Sequence, residues 1–308
     1  MTRALQIVEV GPRDGLQNER TLVSTDDKVR LIGRMIDAGV RRLEVGSFVN
    51  PRRVPQMADT PQVVAALPDR PDVSFIGLCL NLKGAERALR SRDGGARGVD
   101  EVGCVVVASD TFGLRNQGQT SAESVAEARA MLGLARREGL TPQATIAMAF
   151  GCPFEGAVPL ERVADIAERL AEAGPVEIAV ADTIGVATPS EVRGLIGRLR
   201  ERLPPEIRLR AHFHDTRGTG VANAWAAWEA GVDVLDSALG GLGGCPFAPG
   251  AAGNVATEDL LYLFDRSGVA TGIDLDAAIA TNRWLAEVMG KPLPSRVARA
   301  GGAIAIAP

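Results

Sequence analysis

Eight short apolar, β-branched runs recur along the 308-residue chain, and a longer segment of helical period follows each of them. The runs are LQIVEV (5–10), RLEVGS (42–47), VSFIGLCL (73–80), EVGCVVVAS (101–109), QATIAMAF (143–150), VEIAVAD (176–182), RLRAHFHD (208–215) and VDVLDSAL (232–239). Each is apolar almost throughout instead of alternating, the pattern of parallel strands buried on both faces. The segments at 24–39 and 121–139 end at glycine, and the first opens with a Ser/Thr cap and an acidic first turn. The stretches at 190–203 and 219–231 read the same way. An α/β chain with eight such units, about 30 residues apart, predicts a closed (β/α)8 TIM barrel. An open parallel sheet is the alternative. The spacing leaves no linker, so 1–308 reads as one domain: a barrel over about 1–255 and a C-terminal helical extension over about 256–300. Helices are expected at 256–266, 274–290 and 292–300, as a cap or an interface.

Aromatic residues make up only 4% of the chain, so the core must come from Ala, Val, Leu and Ile. A net charge of −4 gives no general attraction to nucleic acid or an anionic membrane. The opening MTRALQIVEV carries no long apolar run, which argues against a leader or a membrane span and for a cytoplasmic location. Cys79, Cys104, Cys152 and Cys245 lie far apart with no Cys-x-x-Cys pair, as reduced thiols do.

A barrel of this kind keeps its chemistry at the C-terminal ends of its strands. There stands HFHD (212–215), with the only two histidines in the chain. Alternation along a strand turns His212 and His214 to one face, where two imidazoles can share a metal. The plainer alternative is two histidines meeting separate core hydrogen-bond needs. GPRDG (11–15) follows the first run and brings Arg13 and Asp14 to the same rim, because the first and last strands of a barrel are neighbours. An Asp before Gly15 is equally a turn former. PGAAGN (249–254) adds Asn254 after the eighth run. Two imidazoles, a carboxylate and an amide oxygen make a mixed N/O shell suited to Mg²⁺ or Mn²⁺, with Zn²⁺, Co²⁺ and Fe²⁺ as further options. The glycine-rich stretch 240–254 also carries Cys245, whose unperturbed pKa of about 8.5 suits a proton donor. Alternatively it is an ordinary flexible loop with an incidental thiol. GTGVAN (218–223) imitates a dinucleotide fingerprint, but Asn223 replaces the third glycine.

Over nearly its whole length the chain resembles the 3-hydroxy-3-methylglutaryl-CoA lyase family, one of the metal-dependent lyase and synthase barrels. The resemblance rests on EVGPRDGLQNE (9–19), EVGSFVNPRRVPQMAD (44–59), GCPFEG (151–156), DTIGVATP (182–189), HFHDT (212–216) and the stretch GGLGGCPFAPGAAGNVATEDL (240–260). It implies retro-Claisen cleavage of a 3-hydroxy-3-substituted acyl-CoA, such as 3-hydroxy-3-methylglutaryl-CoA to acetyl-CoA and acetoacetate. Asp14, His212, His214 and Asn254 would hold a divalent metal, Mg²⁺ or Mn²⁺. Asp14 or His212 would take the hydroxyl proton, Arg13 would stabilise the enolate, and Cys245 would protonate it. Glu44 would hold Arg13 and Glu258 would support Asn254, while Gln17, Ser47, Asn116 and Asp182 would line the substrate site; Arg217, which departs from the family, is expected to contact a substrate carboxylate or a CoA phosphate. The partners implied are an acyl-CoA and further copies of the chain, as a homodimer or higher homo-oligomer.

The departures from the family pattern concern the acyl end. Gln143 and Thr145 replace Arg-x-Tyr, Ala179 and Ala181 replace Ser and Gly, and Arg217-Gly218-Thr219 replaces Tyr-Gly-Gln. In NQGQT (116–120) Asn116 fits the family's Asn-x-Asn but Gly118 does not. A different acyl chain, citramalyl-CoA-like or longer and branched, is therefore the alternative substrate. Rival readings are a condensing synthase of the same barrel type, an Fe²⁺ oxygenase with a two-His-one-Asp triad, and a metal-stabilised acyl-CoA binder without activity.

Overall fold

A computed structural model describes residues 3–244 and 253–302. All eight runs become parallel strands: β1 (Gln6–Glu9), β2 (Arg42–Ser47), β3 (Ser74–Cys79), β4 (Glu101–Val107), β5 (Thr141–Ala147), β6 (Glu177–Asp182), β7 (Arg208–Phe213) and β8 (Val234–Ser237). They close in the order β1-β8-β7-β6-β5-β4-β3-β2, with β1 bonded to both β8 and β2. The (β/α)8 barrel is therefore the fold. Strand ends differ from the apolar runs where local chemistry intervenes. The fifth run stops at Ala147 because Met148 takes a φ of 57°, a left-handed conformation that no strand continues through. Its N–H donates instead to Thr183 Oγ1 at 3.0 Å.

The surrounding helices form where the sequence caps them. Ser24 accepts from Asp27 N at the start of α1 (Thr25–Asp37). Thr120 and Glu123 make a reciprocal capping box on α5 (Ser121–Arg137), and Thr188 and Glu191 another on α7 (Pro189–Arg202). Each helix lays an apolar stripe on the sheet: Leu31, Ile32, Met35 and Ile36 from α1, and Val125, Ala128, Met131 and Leu132 from α5, are all buried. Each large side chain so buried contributes roughly 1.5–3 kcal/mol, and Leu31→Ala would cost about 2–5 kcal/mol.

In the extension, α9 (Thr257–Arg266) and α10 (Leu275–Met289) fall where the sequence predicts them, and α10 packs on α1. The last helix is shorter than the expected 292–300. It spans only Arg296–Ala300, because Pro292 and Pro294 have no amide hydrogen to give and Ser295 supplies the cap.

Inside the barrel the lower layer is charged. Arg42 forks onto Glu101 at 2.8 and 2.7 Å and reaches Glu177 at 2.9 Å. Glu101 also accepts from Ser74 at 2.6 Å and Gln143 at 2.9 Å.

Candidate active site

Three loops bring the polar rim together. The turn Gly11–Gly15 after β1 carries Arg13 and Asp14, the end of β7 carries His212 and His214, and residues 253–254 return after β8. Asn254 forms an antiparallel β-bridge with His214, which fixes its backbone beside the second histidine. The approach is tight enough to demand glycine at Gly243. Its φ is 102°, and a Cβ there would lie 2.4 Å from Asn254 Nδ2. Asn18 Nδ2 donates to Gly244 O at 3.0 Å, tying the first loop to the glycine-rich one.

Asp14, His212 and His214 each offer a ligand atom, and these atoms all lie within 4.8 Å of one another. The two imidazole centroids are 5.3 Å apart. Asn254 completes the set by elimination of its other bonds. Two acceptors, Asp14 Oδ2 at 2.7 Å and Leu242 O at 2.9 Å, claim its Nδ2. Its Oδ1 is buried and has no hydrogen-bond partner among the described residues. A buried oxygen without a donor is uncommon and costly, and a cation satisfies it. The residues thus fit a hard divalent ion.

Arg13 stands beside them, its Nε donating to Glu44 Oε2 at 2.8 Å and its terminal nitrogens pairing with Asp14 and Glu44 at 2.5 Å each. Burial opposes ionisation of Asp14, but Arg13, the two imidazoles and the Asn254 amide outweigh it and bring its pKa down to about 2. Burial likewise opposes the Arg13 charge, yet Glu44 and Asp14 hold its pKa above the usual value. Arg13 is a fixed cation and Asp14 a fixed anion at any physiological pH.

Other expected site residues fall elsewhere. Glu258 does not touch Asn254. Its carboxylate accepts from Gly240 N at 3.0 Å and Asn282 Nδ2 at 2.7 Å, because α9 begins beneath the loop after β8 and not under the return strand. Asp182 accepts from the backbone of Val186 and Ala187, at 2.9 Å each, so its carboxylate shapes its own turn. Arg217 is exposed and donates to Ile184 O at 3.1 Å and Gly185 O at 2.9 Å. Asn116 ends α4 (Asp110–Asn116) in an exposed position. Gln17 is half-buried just past Asp14, and Ser47 is buried with an unpartnered Oγ. Cys245 lies outside the described residues.

Three groups escaped the reading of the sequence. Asp236 Oδ2 lies 3.1 Å from His212 Nδ1. The signal was an acid inside an otherwise apolar run, on the strand whose register sets Val234 against Arg210 and Leu235 against Ala211. Arg210 and Glu9, both buried, are the others. Burial alone would lower the His212 pKa, but the Asp236 bond and charge, with Asp14, raise it above its ordinary value.

The HMGL-like family model matches residues 4–284. The chain belongs to the HMGL-like family. Membership makes it a carbon–carbon lyase of a divalent-metal-dependent family, with the Asp14–His212–His214 cluster as a possible seat for the ion. It is 46% identical to (R)-citramalyl-CoA lyase of Chloroflexus aurantiacus over 97% of this chain and 95% of that one. It is 41% identical to the 3-hydroxy-3-isohexenylglutaryl-CoA/hydroxy-methylglutaryl-CoA lyase of Pseudomonas aeruginosa, over 97% of this chain and 98% of that one. Among solved structures, an HMG-CoA lyase of Acinetobacter baumannii, in complex with coenzyme A and 3-methylmalate, superposes with a TM-score of 0.92 at 40% identity. The match covers 99% of this HMGL-like chain and 97% of that one. No helix among the described residues is long and apolar enough to cross a membrane.

Proposed function

We propose that the protein cleaves the C2–C3 bond of a 3-hydroxy-3-substituted acyl-CoA, with 3-hydroxy-3-methylglutaryl-CoA giving acetyl-CoA and acetoacetate as the leading case. The observation that carries this reading is the convergence beside Arg13 of Asp14, His212, His214 and an Asn254 Oδ1 that has no partner among the described residues. Those four residues would hold Mg²⁺ or Mn²⁺, and the bound ion would supply Lewis acidity to the reaction. A base at this rim takes the 3-hydroxyl proton. As the carbinol becomes a ketone, the C2–C3 electron pair moves into the thioester as an enolate. Arg13 is assigned the stabilisation of that charge, and its contacts with Glu44 and Asp14 hold it in place so that little reorganisation is needed. Cys245 is assigned the proton that completes acetyl-CoA. The reading includes a cytoplasmic location and a homodimer or higher oligomer built through the C-terminal helices.

A second reading is favoured by the 46% identity to the citramalyl-CoA lyase. Citramalyl-CoA breaks in the same way to acetyl-CoA and pyruvate, and differs by one methylene between the carbinol carbon and the carboxylate. One methylene is worth roughly 10–200-fold in kcat/KM, so product analysis separates the two. Purified protein with Mg²⁺ or Mn²⁺ is given 3-hydroxy-3-methylglutaryl-CoA, citramalyl-CoA and a longer branched analogue, and acetyl-CoA and the partner acid are quantified. Acetoacetate as the preferred partner supports the first reading and pyruvate the second. Absence of acetyl-CoA release, with consumption of acetyl-CoA in the presence of a 2-oxo acid, overturns both in favour of a condensing enzyme.

A further inference from the structure

Arg210 precedes His212 by two residues on β7, so both side chains face the barrel interior, and Arg210 is only 5% exposed. Its Nε lies 3.4 Å from Glu177 Oε1 and 3.5 Å from Asp236 Oδ1, while one terminal nitrogen donates to Thr145 Oγ1 at 3.1 Å. Near-equal distances do not mean equal dependence. Glu177 is already paired with Arg42 at 2.9 Å and Arg208 at 3.2 Å. Among the described residues, Asp236 has no cationic side chain within ion-pair distance other than Arg210 and the imidazole of His212. Arg210 Nε and Asp236 Oδ1 share no hydrogen bond at that distance, so the guanidinium acts as a counter-charge lying between the two carboxylates, and Asp236 depends on it the more.

Asp236 in turn faces His212. A carboxylate only accepts, so the 3.1 Å contact at Nδ1 calls for an Nδ1–H donor and leaves the Nε2 lone pair for the cluster with Asp14 and His214. The barrel registers the three groups together. Val234 pairs with Arg210 and Leu235 with Ala211, which sets Asp236 level with His212.

We propose that Arg210 is a positioning residue for the cation site: it anchors Asp236, and Asp236 sets the tautomer and ring orientation in which His212 presents Nε2 to a divalent ion. The inference rests on the cation reading proposed above. It adds a residue on no loop of the site, reaching the ion only through two intermediaries.

The test measures Mn²⁺ binding directly, by electron paramagnetic resonance on the full-length chain stripped with chelator and free of substrate. Loss of the partner of a metal-bound histidine typically costs 10–100-fold in affinity. Arg210→Met is expected to weaken Mn²⁺ by about that factor, and Arg210→Lys, which keeps a charge there, to recover most of it. Asp236→Asn is expected to lose a comparable factor. The double variant D236N/R210M removes one charge of each sign, so it preserves the interior balance even where R210M alone folds poorly. It should bind within about threefold of D236N, because two residues acting through one path are not additive. Independent, multiplying losses overturn the proposal, and so does an R210M protein that binds Mn²⁺ as tightly as wild type. If R210M binds normally while His214→Ala does not, the cation reading stands and this inference fails. If wild-type protein takes up no Mn²⁺, both fail.

Discussion

Glu9 stands just before the turn that carries Asp14, and the two acids meet opposite fates. Glu9 is wholly buried at the end of β1 and accepts from Gly11 N and Leu239 N at 2.8 Å each, and from Thr257 Oγ1 at 2.6 Å. Burial pushes its pKa up to about 7, with the three donors opposing. Asp14, beside Arg13 and two imidazoles, is held at about 2. Glu258 repeats the first case: burial lifts it to about 8, although Gly240 N and Asn282 donate to it. Acids in cradles of neutral donors are cross-ties. Glu9 joins β1 to the loop after β8 and to α9, and Glu258 fixes Gly240 in that same loop, so together they locate the segments that bear Asp14 and Asn254. Asp14, surrounded by Arg13 and two imidazoles, is built to remain ionised, as a metal ligand must.

The contrast breaks first at Asp14. Asp14→Ala is expected to abolish Mn²⁺ uptake and to lower kcat/KM by about a thousandfold or more, the several kcal/mol that a Lewis acid contributes. Glu9→Gln keeps a cradled, uncharged acceptor and should retain Mn²⁺ binding. Equal losses in the two variants would erase the distinction. Arg13→Met comes next. It should cost about 10²–10³ in kcat, the usual loss when a donor to the developing oxyanion is removed. Substrate KM should change little in comparison. A drop confined to KM would make Arg13 a ground-state binder.

How much of this was legible in the sequence follows from what periodicity can report. Near-continuous apolar runs between helices disclosed the barrel, and the barrel turned HFHD, GPRDG and Asn254 into neighbours. Strand ends were less visible, since the positive φ of Met148 has no glycine to announce it. Pro292 and Pro294 do mark the late start of the last helix, since neither has an amide hydrogen to give. Partners across strands were the real blind spot. Asp236 and Arg210 belong to different strands, and only register brings them level with His212. The resemblance implies that Glu258 supports Asn254, while the fold directs its carboxylate to Gly240 and Asn282.

The cross-ties also sharpen the comparison through pH. The folded pKa of Glu258 is raised, so its contribution to stability is fully present below the unfolded value of 4.5 and is lost as pH rises through about 8. Glu9 follows the same course through about 7. Chelated wild-type protein should therefore lose on the order of 2–4 kcal/mol between pH 5 and pH 9 from Glu258 alone. Glu258→Gln should flatten that slope in urea midpoints, with the variant the more stable of the two at pH 9. Parallel slopes for both proteins would mean that the carboxyl is already ionised in the fold at neutral pH.

The smallest expected effect lies at the exposed edge of the rim. Arg217 ties the loop after β7 to the turn after β6 through Ile184 O and Gly185 O, both bonds made by one terminal nitrogen. We assign the remaining guanidinium donors to an anionic group of the substrate, its carboxylate or a CoA phosphate. An exposed ion pair is worth at most about 1 kcal/mol, so Arg217→Ala should raise KM for the acyl-CoA by about two- to fivefold with kcat unchanged. Because such a contact is screened, the difference between variant and wild type should narrow as salt rises. Unaltered KM across every active acyl-CoA at low salt leaves Arg217 as a loop tie, of the same kind as Glu9 and Glu258 though made from a cation at the surface.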